Sequence, residues 1–321
     1  MANILDSKSS AERLVGSSPT SGTKMSSKNK LLVIVGPTAS GKSDLAVVLA
    51  KKYNGEIVSA DSRQIYKGLD IGSGKVTTEE MGGIKHYMLD VISPNENFSV
   101  SQYKEMAEKA LSEIFGKNKL PIICGGTGFY IDALVDNKTF PEVPPNAKLR
   151  AELELKKANE LFEILKQLDF ARAENIDSKN KRRLVRSIEI AEALGKVPPQ
   201  TGNSKYEPLI IGIKIDEKRL KEKIAIRLEK RIKEGLIEEV KKLNTSGITW
   251  ERLESFGLEY KYVAMYIQHK ITETEMKERL LNEIWHYAKR QMTWWKKDKR
   301  IHWIESNNEK ELKNIIDTFL V

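Results

Sequence analysis

The sequence has few of the residues that define several common classes of protein. Its 321 residues include one cysteine, Cys124, and only four histidines, which are far apart along the chain. An internal disulfide framework is therefore excluded, and the sequence shows no cysteine and histidine spacing typical of a zinc site. Apolar runs such as residues 31–35 are much shorter than the roughly 20 residues that span a bilayer. We therefore expect a cytoplasmic protein with no membrane partner.

Basic residues are in excess, and residues 1–29 differ in composition from the rest. Lys and Arg number 54 against 45 Asp and Glu, which gives a net charge of +9. A basic surface is attracted to nucleic-acid phosphates, although an ordinary solvated surface can have the same composition. Residues 1–29 are rich in Ser, Thr and Lys and lack apolar periodicity, so we predict a disordered tail. They also lack the apolar core of a secretory signal.

Strand and helix patterns alternate from residue 31 onwards, which predicts the α/β class with a parallel sheet. The predicted strands are 31–35, 57–60, 86–92, 121–124 and 209–215, and the predicted helices of the core are 44–53, 98–115, 217–244, 251–268 and 273–297. Prolines interrupt the chain at 140–148, a charged helical pattern follows, and prolines return near 198. We therefore predict an all-helical domain, 142–202, inserted into an α/β core formed by 30–141 and 203–321.

A phosphate-binding motif follows the first predicted strand. The segment Gly36-Pro37-Thr38-Ala39-Ser40-Gly41-Lys42-Ser43 matches G-x-x-x-x-G-K-[ST] and precedes a predicted helix. Backbone N–H groups of such a loop surround phosphate oxygens, Lys42 reaches the terminal oxygens, and the Ser43 hydroxyl is a ligand for Mg²⁺. The motif predicts a diphosphate or triphosphate site on a P-loop NTPase-like, three-layer core.

The identity of the phosphate compound depends on acidic residues elsewhere. An ATPase or GTPase needs a carboxylate at a strand end to hold Mg²⁺, but the strand 121–124 ends in glycines, which leaves Asp90 as the candidate. Asp61 stands just past the second predicted strand, on the side of the sheet where ligands bind. It is equally suited to accept a proton from a substrate and to cap a helix N-terminus.

Four segments together resemble a known family. In order, "GPTASGKS", "SADSRQIYKGLDIGSGK", "GGTGFY" and "AKRQMTWW" are similar to the motifs of tRNA dimethylallyltransferases, the IPP transferase family, and the similarity runs from about Lys30 to Trp303. The family prenylates N6 of the adenosine 3′ to the anticodon, at position 37, in tRNAs that read codons starting with U. The resemblance implies that the loop 36–43 binds the diphosphate of dimethylallyl diphosphate rather than ATP, with Mg²⁺ as cofactor. It also implies a monomer that binds the tRNA anticodon stem-loop.

The resemblance implies roles for individual residues. Asp61 would accept the amine proton, Thr127 would help to hold the reacting groups, and Arg227 and Lys42 would act on the diphosphate. The residues implied to contact tRNA are Asp61, Ser62, Arg63, Gln64, Thr127, Arg150, Arg182, Arg183, Leu184, Val185 and Arg186. For Arg227 and for the basic run 178–186, a plain solvated helix face remains the alternative. Trp294 and Trp295 are interpreted as core residues rather than as base-stacking residues.

Some features depart from the family pattern, and other functions remain open. The usual "GTAKP" reads "GSGKV" at 72–76, and Glu259 stands where some members have arginine in a tRNA-contacting segment. The sequence has no zinc-finger extension, which favours the bacterial type. The alternatives are an adenylate dimethylallyltransferase acting on free nucleotides, a P-loop nucleotide kinase and a non-catalytic RNA-binding protein. The basic helical insertion favours tRNA over free nucleotides.

Overall fold

A computed structural model describes residues 28–199, 201–305 and 308–321. The predicted tail 1–29 lies outside the described residues, except that residue 28 precedes the first strand and Asn29 begins it. The strands are β1 (Asn29–Val35), β2 (Gly55–Ser59), β3 (His86–Tyr87), β4 (Leu120–Cys124), β5 (Tyr206–Lys214) and β6 (Ile301–Glu305). The helices are α1 (Lys42–Lys52), α2 (Thr78–Met81), α3 (Val100–Gly116), α4 (Gly128–Val135), α5 (Ala147–Glu154), α6 (Ala158–Leu168), α7 (Phe170–Glu174), α8 (Lys181–Leu194), α9 (Glu217–Lys233), α10 (Leu236–Thr245), α11 (Trp250–Ser255), α12 (Leu258–Ile267), α13 (Glu273–Trp295) and α14 (Glu309–Leu320).

The strands form one parallel sheet in the order β3-β2-β4-β1-β5-β6. Strand β1 lies between β4 and β5, and its residues Leu31 to Val35 are buried, as a continuous apolar run in a sheet covered on both faces should be. One face packs against α3 and α4, and the other packs against α1 and α14. The predicted α/β fold with a parallel sheet in three layers is therefore confirmed. Within the described residues, every helix is too short or too polar to cross a membrane.

Several predicted elements have different bounds in the structure. The strand predicted at 86–92 ends at Tyr87, because Met88 and Asp90 adopt positive φ angles of 64° and 54°. The helix predicted at 217–244 is broken at Gly235, and the helix predicted at 251–268 is broken at Gly257, where φ is 102° and 71°. Glycine adopts this left-handed conformation at little cost. Helix α4, strand β6 and helix α14 were not among the predicted elements.

The inserted segment is helical, as predicted, and has a core of its own. Helices α5 to α8 lie between α4 and β5 in the sequence, and α6 packs against α8. Their buried side chains are Leu153, Leu161, Leu165, Ala173, Leu184, Val185 and Ile188. The insertion therefore buries apolar surface among its own helices, which is the behaviour expected of a small domain. Its exact limits at 142 and 202 stay a prediction.

Candidate active site

Three loops meet at the carboxyl edge of the sheet, where parallel α/β folds bind ligands. They follow the neighbouring strands β1, β4 and β2, and contain the residues 36–43, 125–127 and 60–64 respectively. The loop at 125–127 bonds through its backbone to the loop at 60–64 and to β1, just before the phosphate loop. The Thr127 N–H donates to the Ala60 carbonyl at 3.0 Å, and the Gly125 N–H donates to the Ile34 carbonyl at 3.3 Å. The phosphate motif, Asp61 and Thr127 are therefore adjacent although they are far apart in the sequence.

The phosphate loop has the conformation that its sequence predicts. Gly41 and Ala39 have φ angles of 91° and 63°, and helix α1 begins at Lys42. A non-glycine residue in the left-handed region is strained, and such strain is common where a loop binds a ligand. The Lys42 ammonium donates to the Pro37 carbonyl at 3.1 Å. The loop therefore places a cation and the N-terminus of α1 together, which is the arrangement that binds phosphate groups.

Positive charge at this loop is not balanced by a carboxylate bonded to it. Burial lowers the pKa of Lys42. The pKa is raised by Cys124, lowered further by Arg227 and raised by Asp61. No ion pair of Lys42 or Arg227 with a carboxylate is present within the described part of the chain. The pKa of Arg227 is lowered as well, mainly by desolvation and next by the charge of Arg231. An arginine nevertheless stays protonated at neutral pH. An anion bound at the loop would relieve both charges.

Arg227 reaches the phosphate loop from α9. Its guanidinium donates to the Thr38 hydroxyl, and Arg227 lines the same cleft as Arg231. The side chain is therefore directed into the site rather than along a solvated helix face. The predicted action of Arg227 on a diphosphate stays a prediction.

Asp61 closes a turn at the end of β2 and borders the same cleft. Its Oδ1 accepts hydrogen bonds from the N–H groups of Arg63 at 2.9 Å and Gln64 at 3.4 Å. Residues 62–65 form turns rather than a helix, so Asp61 does not cap a helix N-terminus. Asp61 lines a cleft together with Thr38, Arg227 and Tyr287. One carboxylate oxygen thus fixes the loop, and the group remains in contact with the cleft.

Thr127 ties the loop at 125–127 to the loop that carries Asp61. Its hydroxyl accepts a hydrogen bond from the Ser62 N–H at 3.0 Å. A Cβ on Gly125 would stand 2.2 Å from the Ala60 carbonyl oxygen, so only glycine allows this approach. Because a hydroxyl both accepts and donates, the hydrogen of the Thr127 hydroxyl is available for a ligand.

Arg63 and Gln64, both predicted to contact tRNA, have different surroundings. Arg63 lines the cleft, lies over the Tyr287 ring at 5.8 Å and is 3.6 Å from the buried Glu259 carboxylate. Gln64 is buried, and its side chain accepts from the Ser59 hydroxyl and donates to the Gly74 carbonyl. Glu259 also accepts from Arg231 at 2.8 Å. Glu259 therefore holds arginines inside the protein.

The basic segment of α8 divides into exposed and buried residues. Arg182 and Arg183 are exposed, whereas Leu184 and Val185 lie in the core of the insertion. The side chains of Leu184 and Val185 are buried, and the prediction that these two residues contact tRNA stays a prediction. The other predicted tRNA contacts stay predictions.

Two further predicted tRNA-binding arginines share one buried carboxylate. Arg150 donates to both oxygens of Glu189, at 2.9 and 2.8 Å, and Arg186 donates to Oε2 of the same residue. Burial alone would raise the pKa of Glu189, but hydrogen bonds from Arg150, the Asn146 N–H and Arg186 hold it at about 2. The carboxylate therefore joins α5 to α8 and fixes both guanidinium groups.

Sequence reasoning missed the polar side chains that connect the helical layer to the site. They are Arg231, Glu239, Tyr260 and Gln291, which bond to the loops at 69–75, 36–43 and 125–127. Gln291 lies inside the quoted motif "AKRQMTWW", in which only Trp294 and Trp295 were interpreted, as core residues. That interpretation is confirmed, since Trp295 is buried and Trp294 packs against the same core. The other three carried no local signal, because their partners are distant in sequence.

Fold and site together define a P-loop protein with an enzyme-like cleft, in which a cationic phosphate loop and a carboxylate face one ligand space. The protein-family model described as "IPP transferase" matches residues 64–298. The tRNA dimethylallyltransferase 1 of Syntrophus aciditrophicus is 41% identical over 292 residues, which cover 88% of this chain and 96% of that protein. The tRNA dimethylallyltransferase 2 of Shewanella sediminis is 40% identical over 284 residues, covering 87% and 94%. The chain belongs to the IPP transferase family.

Solved structures agree with this assignment. The chain superimposes on the tRNA isopentenylpyrophosphate transferase of Bacillus halodurans with a TM-score of 0.71 and 34% identity, covering 91% of this chain and 97% of that one. For the corresponding transferase of Staphylococcus epidermidis the TM-score is 0.67 and the identity 36%, with coverage of 91% and 100%. A eukaryotic dimethylallyltransferase, described as acting on tRNA, has a TM-score of 0.79 at 24% identity, which shows the shared fold.

Proposed function

We propose that this protein is a tRNA dimethylallyltransferase. It transfers the dimethylallyl group of dimethylallyl diphosphate to N6 of the adenosine 3′ to the anticodon, and pyrophosphate leaves. The observation that carries this proposal is a cleft lined by Asp61 and Arg227, in a chain that belongs to the IPP transferase family. The phosphate loop of Lys42 and the loop of Thr127 adjoin this cleft through Thr38 and Ser62. The acceptor, tRNA, is taken from the names of the relatives. The donor, dimethylallyl diphosphate, is taken from the resemblance of the sequence motifs.

The reaction needs a positive site for the leaving group and a base for the acceptor. The N6 lone pair attacks C1 of the donor, the C1–O bond breaks, and its electron pair stays on pyrophosphate. Lys42, Arg227 and the N–H groups of the phosphate loop stabilise the charge that grows there. Asp61 takes the proton that N6 releases, and a positioned base of this kind contributes about 10²–10⁴-fold. The Thr127 hydroxyl donates to a reacting group from the same side.

A Mg²⁺ ion fits this donor set when a diphosphate brings most of its ligands. Clusters of three or more carboxylate, histidine or cysteine side chains able to hold a metal are not found in the described residues. A hydroxyl at the start of α1, that of Ser43, is the protein ligand that the loop offers, and Mg²⁺ commonly combines few protein ligands with substrate phosphates and water. When bound, the ion neutralises charge on the diphosphate.

The helical insertion is suited to the RNA partner. Arg182 and Arg183 are exposed on α8, and Arg150 and Arg186 are held in place by Glu189. Arginines fixed in this way contact RNA phosphates without a large loss of side-chain entropy. The acceptor base lies in a loop, so turning it out of the stack costs less than in a duplex. We further propose that the protein acts as a monomer, in the cytoplasm where tRNA is modified.

A transfer assay with competing acceptors tests the proposal. Purified protein is incubated with Mg²⁺ and labelled dimethylallyl diphosphate, and the acceptors are an unmodified anticodon stem-loop, AMP and ATP. We expect label on the stem-loop, and a large loss of transfer in Asp61→Asn. The matched control is Asp317→Asn, because Asp317 accepts from Tyr53 at the other end of α1. Label on AMP or ATP would assign a free-nucleotide acceptor, and no label with tight ATP binding would support a nucleotide kinase.

A further inference from the structure

Gln291 on α13 joins two loops of the site through one side chain. Its Oε1 accepts from the Thr38 N–H at 2.8 Å, and its Nε2 donates to the Gly126 carbonyl at 2.9 Å. The side chain is only 6% exposed, so water does not readily replace these bonds. Thr38 belongs to the phosphate loop, whereas Gly126 precedes Thr127. The two loops therefore have a common support outside the sheet.

The geometry at this bridge selects a glutamine. An N–H is always a donor and a carbonyl always an acceptor, so only one orientation of the Gln291 amide satisfies both Thr38 and Gly126. A carboxylate side chain at position 291 would have no N–H to donate to the Gly126 carbonyl. A hydrocarbon side chain would have neither the donor nor the acceptor. A Cβ on Gly126 would lie 2.2 Å from Nε2, so the glycine leaves the space that the amide occupies. Both loops are thus shaped to this contact.

The two loops would hold different reactants. Under the proposed function, the loop of Thr38 grips the donor diphosphate, and Arg227 adds its bond to the Thr38 hydroxyl. The loop of Gly126 carries Thr127, which is bonded to Ser62 next to Asp61 on the acceptor side. The strands fix the base of each loop, and Gln291 adds a side-chain link between the two loops themselves.

We propose that Gln291 is a positioning residue that sets the distance between the donor loop and the acceptor loop during transfer. This inference rests on the proposed function. Loss of the bridge leaves each loop with its own ligand contacts, so each reactant still binds. The reacting atoms are then less often in reach of each other, and a misplacement of about 1 Å costs on the order of 100-fold in rate. The expected signature is therefore a fall in transfer rate without a matching fall in affinity.

The test separates rate from binding. Single-turnover transfer is measured at saturating donor and stem-loop, and the affinity for pyrophosphate with Mg²⁺ is measured by calorimetry. The variants are Gln291→Met, Gln291→Glu, Gly126→Ala and the double variant Q291M/G126A. The control is Gln268→Met, because the Gln268 amide is also hydrogen-bonded, but to Glu254 and the Ala264 carbonyl, and the residue is half-buried.

We expect Gln291→Met to lower the transfer rate about 100-fold while pyrophosphate affinity stays within about 3-fold. Gln291→Glu, which keeps the bond to Thr38, should be slowed less. Gly126→Ala should be slow, and Q291M/G126A should be no slower than the worse single variant, because both changes break one contact. A rate within about 3-fold of wild type in folded Gln291→Met would overturn the inference. So would equal losses of rate and pyrophosphate affinity, which would make Gln291 part of the donor site.

Two controls keep the outcomes distinct. If Gln291→Met does not fold, Gln291→Glu and Gly126→Ala decide the question, and normal rates in both would refute the bridge. A wild-type protein that transfers no label to any acceptor contradicts the proposed function itself, and that result is obtained before any variant is measured. A wild-type protein that is active while the Gln291 variants are equally fast contradicts only the inference about Gln291.

Discussion

Glu239 on α10 organises the loop that forms one wall of the cleft. Its carboxylate accepts from three successive N–H groups, those of Asp70, Ile71 and Gly72, at 3.1, 2.6 and 3.0 Å. It also accepts from the Tyr260 hydroxyl at 2.8 Å, and that hydroxyl accepts from the Ser73 N–H. A single side chain therefore fixes a loop that has no regular secondary structure.

Replacement of Glu239 by alanine leaves three N–H groups without their acceptor. The site is half-buried, so water reaches part of it, and a loss of about 1 kcal/mol for each N–H is appropriate. We therefore expect Glu239→Ala to lower the free energy of unfolding by about 3 kcal/mol, and Glu239→Gln, which keeps one acceptor oxygen, by about 1–2 kcal/mol. Because Gly72 and Ser73 line the cleft, the transfer rate should fall as well.

The measurements are denaturant unfolding and hydrogen exchange of the amides of residues 70–72. Both variants should speed exchange at these amides, and the exposed neighbour Glu238, changed to Gln, is the control. Slow exchange at residues 70–72 in Glu239→Ala, with a loss of unfolding free energy below about 0.5 kcal/mol, would show that the loop does not depend on this carboxylate.

Three further results are expected. Arg227→Lys should slow transfer less than Arg227→Met, in single-turnover assays, because a lysine keeps the charge; equal rates for both would exclude a charge effect on pyrophosphate. Glu189 has a folded pKa of about 2, below its ordinary value, so its contribution to stability is full above about pH 4.5 and is lost as the pH falls toward 2. Unfolding measured across that range should depend less on pH in Glu189→Gln, and an unchanged dependence would contradict the role of this carboxylate. Arg182→Gln and Arg183→Gln should each reduce by about 1 the slope of log affinity for tRNA against log salt; an unchanged slope would place these residues away from phosphates.

The parts of the fold that follow from local sequence were predictable. The apolar run in β1 and the glycines and lysine of the next loop specify a strand, a phosphate loop and a helix with few long-range contacts. The helix predicted at 98–115 is likewise present as α3, and a capping box of Ser99 and Gln102 stabilises its start. Helix α10 and helix α12 were merged with their neighbours because a single glycine in a helical pattern does not reveal its φ angle.

The site was only partly predictable. Asp61 was singled out because it follows a predicted strand on the side of the sheet where ligands bind, and Thr127 because its motif resembles a family. Gln291 and Glu239 act on loops about 165 or more residues away in sequence, so no local pattern identifies them. Leu184 and Val185 were included with their basic neighbours because the whole segment 182–186 resembles the family, whereas their side chains belong to the core of the insertion.

The central claim is that one cleft brings a diphosphate-bound prenyl group to an adenine amine beside Asp61. Its most direct test is mass spectrometry of nucleosides from an anticodon stem-loop treated with the protein, dimethylallyl diphosphate and Mg²⁺. The account predicts a single prenylated nucleoside, N6-(dimethylallyl)adenosine, from the position 3′ to the anticodon, formed about 10²–10⁴-fold more slowly by Asp61→Asn. A prenyl group at another position, or formation at the wild-type rate by Asp61→Asn, would contradict the account.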